Sequence, residues 1–259
     1  MLLPFCYYVM GVIQVTDMSY LQLLCNKNSF NRSELQEAMK ACGHELGEAS
    51  FKKKLQELLT QNQIVRVGRN AYRVADKNVA YYHFDYSAQV KQLSNLLNNS
   101  FPYLDYSIFE LRQLNEFLNH QVAQNIVFLS VESDVISFVF ETLKDYFAGN
   151  VMLTPSIDLF NQYWRDGMII LTKRVTEAPK GNEEIWHSRI EKILVDLLAE
   201  PLIQYSINSG EYSTIFEDIF QRYVVDESCM FRYARRRGAD QELKAFIQNN
   251  TSIQLRTVG

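Results

Sequence analysis

The residues in this sequence best suited to chemistry are cations and amides rather than nucleophiles. Arg66, Arg69 and Arg73 fall between Ile64 and Val74, where two β-prone runs, 64–67 and 71–74, flank Gly68-Arg69-Asn70. That pattern predicts a tight hairpin in which Gly68 serves the turn. Guanidinium groups on such a ribbon touch phosphates or lie in a narrow minor groove. Upstream, Phe51, Leu55, Leu58 and Leu59 form one apolar stripe, which directs Ser50, Lys52, Lys53 and Gln56 elsewhere. A recognition helix needs that division. Together with Asn70 at the turn, these side chains form the candidate DNA-binding set.

The elements that must position them are legible as helix, helix, helix, hairpin. Met18 to Cys25 supplies Tyr20, Leu21, Leu23 and Leu24 for a support helix. Ser33 and Gln36 have capping-box spacing ahead of Leu35, Ala38, Met39 and Cys42, a run that Gly43 can end. Glu48 to Gln61 carries the third helix. This order is the outline of a winged helix-turn-helix over residues 19–76, and the predicted function class is DNA binding. Charge agrees: residues 27–77 hold ten Lys and Arg against six Asp and Glu, a net of +4, whereas the whole chain is −4. The remainder therefore carries −8. A basic module joined to an acidic body suits a DNA-binding domain with a separate regulatory or partner-binding domain. The lysine run 52–54 also has a plain reading, as the solvated face of a helix.

Residues 77–259 read as a second domain. Strand-like and helix-like runs alternate at 106–109, 111–120, 126–131, 135–147, 151–153, 157–164 and 168–175, after a helical stretch at 87–97. Beyond the loop 178–182 the pattern is helical, with faces such as Ile190, Ile193, Leu194, Leu197 and Leu198. The predicted class is mixed α/β (α+β): a winged helix followed by an α/β domain with a helical C-terminal region. With 47% hydrophobic and 13% aromatic residues, 259 residues can bury two cores. Cys6, Cys25, Cys42 and Cys229 lack paired spacing, which argues against a zinc knuckle or a disulfide framework and fits a reducing cytosol. Met1 to Thr16 is apolar but has no Lys or Arg n-region, contains Pro4 and is short for a membrane span. The first seventeen residues read as an upstream extension or a packing arm, and the chain as cytoplasmic.

At Ile185-Trp186-His187-Ser188-Arg189-Ile190-Glu191-Lys192-Ile193-Leu194-Val195-Asp196-Leu197-Leu198, and again at Met230-Phe231-Arg232-Tyr233-Ala234-Arg235-Arg236-Arg237, the chain resembles the abortive-infection AbiE antitoxin family. The resemblance covers the winged helix and the rest of the chain through overall order and these two motifs. It implies a repressor of its own operon that counteracts a co-encoded nucleotidyltransferase toxin in a type IV toxin–antitoxin system. The partners implied are operator DNA and that toxin or its target.

An enzyme is the competing class. A nuclease of the restriction-endonuclease type needs an acid on one strand and acid-x-Lys on the next, to hold Mg²⁺ and orient a water. Glu132 and Asp134 follow one strand and Lys173 lies on another, but Leu171 stands where the acid should be. The one Glu-x-Lys, Glu242-Leu243-Lys244, falls in a helical run. His187 and Glu191 have helical i,i+4 spacing without a second histidine pair, and His44, His83 and His120 are isolated. No phosphate loop or nucleophile motif is present. The expectation is a non-enzyme without metal or cofactor.

Arg232, Arg235, Arg236 and Arg237, with Tyr233, remain as a second basic site. They read equally as a nucleic-acid surface or as a helix end neutralising Glu217, Asp218 and Asp226. The alternative functions are accordingly a protein-interaction module, with the arginines gripping an acidic partner, or a restriction-endonuclease-like nucleic-acid-binding protein.

Overall fold

The computed structural model describes residues 18–27, 29–75, 80–181 and 183–255, and the chain parts into two compact units between residues 77 and 78. The apolar opening 1–17 and the expected boundary at Asp76 lie outside the described residues. The fold is mixed α/β, as its pattern of apolar runs predicts.

In the smaller unit, helices α1 (Met18–Leu24), α2 (Arg32–Ala41) and α3 (Glu48–Thr60) precede strands β1 (Ile64–Gly68) and β2 (Ala71–Val74). Tyr20, Leu24, Leu35, Met39, Phe51, Leu55, Leu58, Ile64 and Tyr72 meet in one buried cluster. Each large apolar side chain so buried contributes on the order of 1.5–3 kcal/mol. The hairpin is tied to the helices by Phe30, whose N–H donates to Tyr72 O at 2.7 Å and whose carbonyl accepts from Tyr72 N at 2.8 Å.

Two local expectations need correction. Asn31, not Ser33, caps α2: its side chain accepts from Glu34 N while the Glu34 carboxylate accepts from Asn31 N. The Phe30–Tyr72 bridge fixes the chain just ahead of Asn31, so the helix starts there. Likewise, the left-handed turn residue is Asn70, at φ +54°, rather than Gly68. Gly68 belongs to β1, where the register shifts between Arg66 and Gly68 so that Gly68 faces Ala71. Gly43, at φ +84°, does end α2 in the left-handed region that favours glycine.

The larger unit holds a four-stranded sheet in the order β3-β4-β6-β5, from β3 (Tyr106–Glu110), β4 (Ile126–Val131), β5 (Val151–Leu153) and β6 (Met168–Lys173). β3 is antiparallel to β4, and β4, β6 and β5 run parallel. Helix α4 (Ala88–Ser100), α5 (Ile136–Tyr146) and α6 (Ile157–Tyr163) precede the C-terminal helices α7 (Ile190–Ala199), α8 (Pro201–Ser206), α9 (Tyr212–Arg222), α10 (Glu227–Arg237) and α11 (Asp240–Asn250). Ile108, Val127, Leu129, Ile169 and Leu171 pack with α4 and α5 on one sheet face. Phe109, Phe128, Met168 and Ile170 pack with Phe160 of α6 and the C-terminal helices on the other. Burial on both faces explains why β4 and β6 are continuous apolar runs instead of alternating ones.

The helix expected from Ile185 begins only at Ile190. Trp186 ends a turn and His187 is bridged to Ile108 of β3, with Ile108 N donating to Trp186 O at 2.9 Å. His187 and Glu191 are therefore not helical neighbours. The helical run at 111–120 shortens to a 3-10 stretch, Leu111–Glu116. No helix among the described residues is long and apolar enough to cross a membrane.

Candidate nucleic-acid interface

Helix α3 buries Phe51, Leu55 and Leu58 and exposes Ser50, Lys52, Lys53 and Gln56. Lys53 makes no hydrogen bond or ion pair among the described residues, whereas Lys52 bridges Glu48 one turn back at 2.7 Å. That bridge holds the Glu48 carboxyl below the usual carboxylate range. Glu34 is lowered in the same way, first by its bond to Lys27 and then by Asn31 N. The lysines nearest acids are thus partly compensated, whereas Lys53 is exposed without such a neighbour among the described residues.

On the hairpin, Arg66 and Arg69 are exposed, and Arg66 Nε donates to Gly68 O at 3.1 Å, which draws its guanidinium along the bulge. Arg73 departs from expectation. Paired with Val65, it is half-buried, so it belongs as much to the hairpin's packing as to its surface. Asn70 is exposed at the turn, but its side-chain oxygen accepts from Arg32 N at 3.2 Å, linking the tip to the start of α2. That bond brings exposed Arg32 beside the tip, a cation the sequence reading missed because the link spans 38 positions. A helix with a polar face and a hairpin with exposed guanidinium groups can together grip a phosphate backbone and its grooves.

The second basic site separates into different environments. Arg237 donates to Ala199 O at 2.8 Å and Glu200 at 3.0 Å, and lies 3.6 Å from Asp196. Arg236 pairs with Glu177, and Arg232 stands 3.9 Å from the same carboxylate. Arg235 is exposed and makes no ion pair among the described residues. The neutralised acids are therefore Glu177, Asp196 and Glu200, not Glu217, Asp218 and Asp226. Glu217 instead accepts from Ser252, Asp218 lies beside Arg222, and Asp226 caps α10.

At the C-terminal ends of the parallel strands, Val131 pairs with Lys173, which places Glu132 nearby. Glu132, Asp134 and Lys173 are all exposed, and no hydrogen bond or ion pair joins them. Among the described residues no group of three or more His, Cys, Asp or Glu could hold a metal ion. The polar feature that sequence periodicity missed is on α7, where Glu191, Lys192 and Asp196 are buried with the apolar residues. Tyr233 and Arg237 of α10 lie against Asp196, a contact that no spacing along the sequence announces.

Residues 50–253 match a family of unknown function, DUF6577. The chain belongs to that family. The matched span takes in α3 from Ser50, the hairpin and the larger unit up to Ile253. None of the curated proteins matches this DUF6577 member. Among solved structures, the RV2827C protein from Mycobacterium tuberculosis aligns over 95% of this chain and 85% of its own at 8% identity, with a TM-score of 0.24. A likeness that weak carries no argument about fold or function.

Proposed function

We propose that the smaller unit is a winged helix-turn-helix that binds duplex DNA, with α3 as the recognition helix and the β1–β2 hairpin as the wing. The observation that carries this reading is the sidedness of both elements. The same segments that bury Phe51, Leu55, Leu58, Ile64 and Tyr72 expose Lys53, Gln56, Arg66 and Arg69. The chain then acts as a cytoplasmic transcriptional repressor of its own operon. Its larger, acidic unit serves as the antitoxin of a type IV toxin–antitoxin system against a nucleotidyltransferase-like toxin or its target, as the AbiE resemblance implies. No catalytic role is assigned.

The test is fluorescence anisotropy of the full chain with DNA from upstream of its own operon, at two salt concentrations, against an unrelated duplex. Specific, salt-sensitive binding supports the repressor. Absence of specific binding at low salt removes it and leaves protein interaction. One observation favours that second reading: Ile157, Leu159, Tyr163 and Trp164 around α6 and Tyr205 on α8 are exposed apolar side chains. Buried Phe160 joins two of them, stacking on Trp164 and meeting Tyr205 edge-on. Exposed aromatic groupings of this kind commonly mark protein contacts.

A further inference from the structure

Helix α5 has an inner face that packs and an outer face that no reading so far uses. Ile136, Val139 and Leu143 are buried in the cluster shared with the sheet, while Phe138 and Tyr146 are 69% and 68% exposed. Phe138, Glu141, Thr142, Asp145 and Tyr146 are spaced i, i+3, i+4, i+7 and i+8, so they share one side of the helix. Two aromatic rings about 12 Å apart along the axis thus bracket two carboxylates. Among the described residues neither ring meets another ring or a cation, and the Tyr146 hydroxyl makes no hydrogen bond.

The charge on this face is one-sided. Lys144 bridges Glu141 at 3.0 Å and lies 5.2 Å from the centre of the half-buried Phe140 ring, so it is engaged within the helix. Asp145 has no cation partner among the described residues, and neither have Glu132 and Asp134 just ahead of the helix, although exposed Lys173 ends the strand beside them. Apolar area decides what can dock. Two rings exposed by two-thirds offer roughly 200–330 Å² of surface, well under the ~800 Å² per partner of a stable interface. Burial alone would not hold a partner, so charge must contribute. A second copy presenting the same face would set carboxylate against carboxylate, which opposes a symmetric dimer.

We propose that the outer face of α5 docks an arginine-bearing segment of a partner protein, with guanidinium groups over Phe138 and Tyr146 and paired with Glu141 and Asp145. Arginine meets both demands. Its planar guanidinium stacks on an aromatic face and pairs with a carboxylate, whereas the ammonium of lysine is a strongly hydrated point charge. The chain's acidic excess outside residues 27–77 adds long-range attraction for such a segment. The surface lies on the larger unit and stands whether or not the smaller one binds DNA.

The probes are labelled nona-arginine and nona-lysine peptides, titrated against the full chain by fluorescence anisotropy. Saturable binding of nona-arginine is expected, about threefold or more tighter than nona-lysine. Combining Phe138→Ala with Tyr146→Ala leaves the net charge unchanged and should weaken nona-arginine about tenfold. Asp145→Asn should weaken it as well and lessen its salt dependence. All three side chains are exposed, so melting curves should match the parent's. Equal affinity for the two peptides, or for parent and double variant, would show attraction to bulk charge alone and overturn the proposal, as would the absence of saturable binding. A concentration-dependent doubling of mass in light scattering, lost in the double variant, would assign the face to a second copy and overturn it too. Duplex binding by the double variant reports on the smaller unit alone, so failure of one reading leaves the other standing.

Discussion

Lys192 Nζ and Asp196 Oδ2 lie 2.5 Å apart, one turn from each other on α7, with both side chains less than a tenth exposed. Asp196 also accepts from the Tyr233 hydroxyl at 2.9 Å and faces Arg237 Nε at 3.6 Å. Burial, first, and the adjacent Asp196 then push the Tyr233 phenol well above its ordinary value, so it stays a donor. Asp196→Ala would leave Lys192 and Arg237 without their shared counter-charge. Chemical denaturation should show a loss of about 3–5 kcal/mol, because removing one partner of a buried pair strands the other. A loss under ~1 kcal/mol would mean that water reaches the pair.

The arginine cluster should divide under single substitution. Arg237→Ala removes bonds to Ala199 and Glu200 and a neighbour of Asp196, and should lower the melting temperature clearly. Arg235→Ala should stay within about 0.5 kcal/mol of the parent, as exposed sites without partners do. Equal effects at the two positions would show that the observed pairing does not govern their roles.

For the DNA-binding reading, Lys53→Ala, Arg66→Ala and Arg69→Ala should each reduce the salt slope of operator binding by about one unit, with melting temperature unchanged. Arg73→Ala differs in kind. Half-buried beside Val65, it should lower stability as well as affinity. Titrations at several salt concentrations, paired with thermal melts, separate these outcomes.

His187 gives a pH signature. Burial lowers its folded-state pKa below 6.5, while Glu183 and Glu184 oppose that shift and His83 adds to it. Below about pH 6.5 the unfolded chain therefore binds a proton that the folded chain resists, so this residue makes stability fall on acidification. His187→Gln should flatten the decline between neutral pH and pH 5. Parallel stability curves for parent and variant would show that the residue titrates normally.

Apolar spacing alone determined the stripe Phe51, Leu55, Leu58 on α3, the core side of α2, the hairpin's two strands and the paired runs of β4 and β6. Such spacing reports which side of an element avoids water, and that is a one-dimensional property of the chain. Tertiary structure decided whatever depends on a distant partner. The Phe30–Tyr72 bridge selected Asn31 over Ser33 as the cap, and the bulge at Gly68 moved the left-handed turn residue to Asn70. The bridge of His187 to Ile108 of β3 and the bond of Ser188 N to the Tyr86 hydroxyl hold the chain out of the helix, so α7 starts only at Ile190. The acids for Arg236 and Arg237 come from Glu177 in the turn after β6 and from Asp196 and Glu200 at α7, which only the folded chain brings near. Charge pairing acts over a few ångströms in space and leaves no period along the sequence, so it could be read only once the chain was folded.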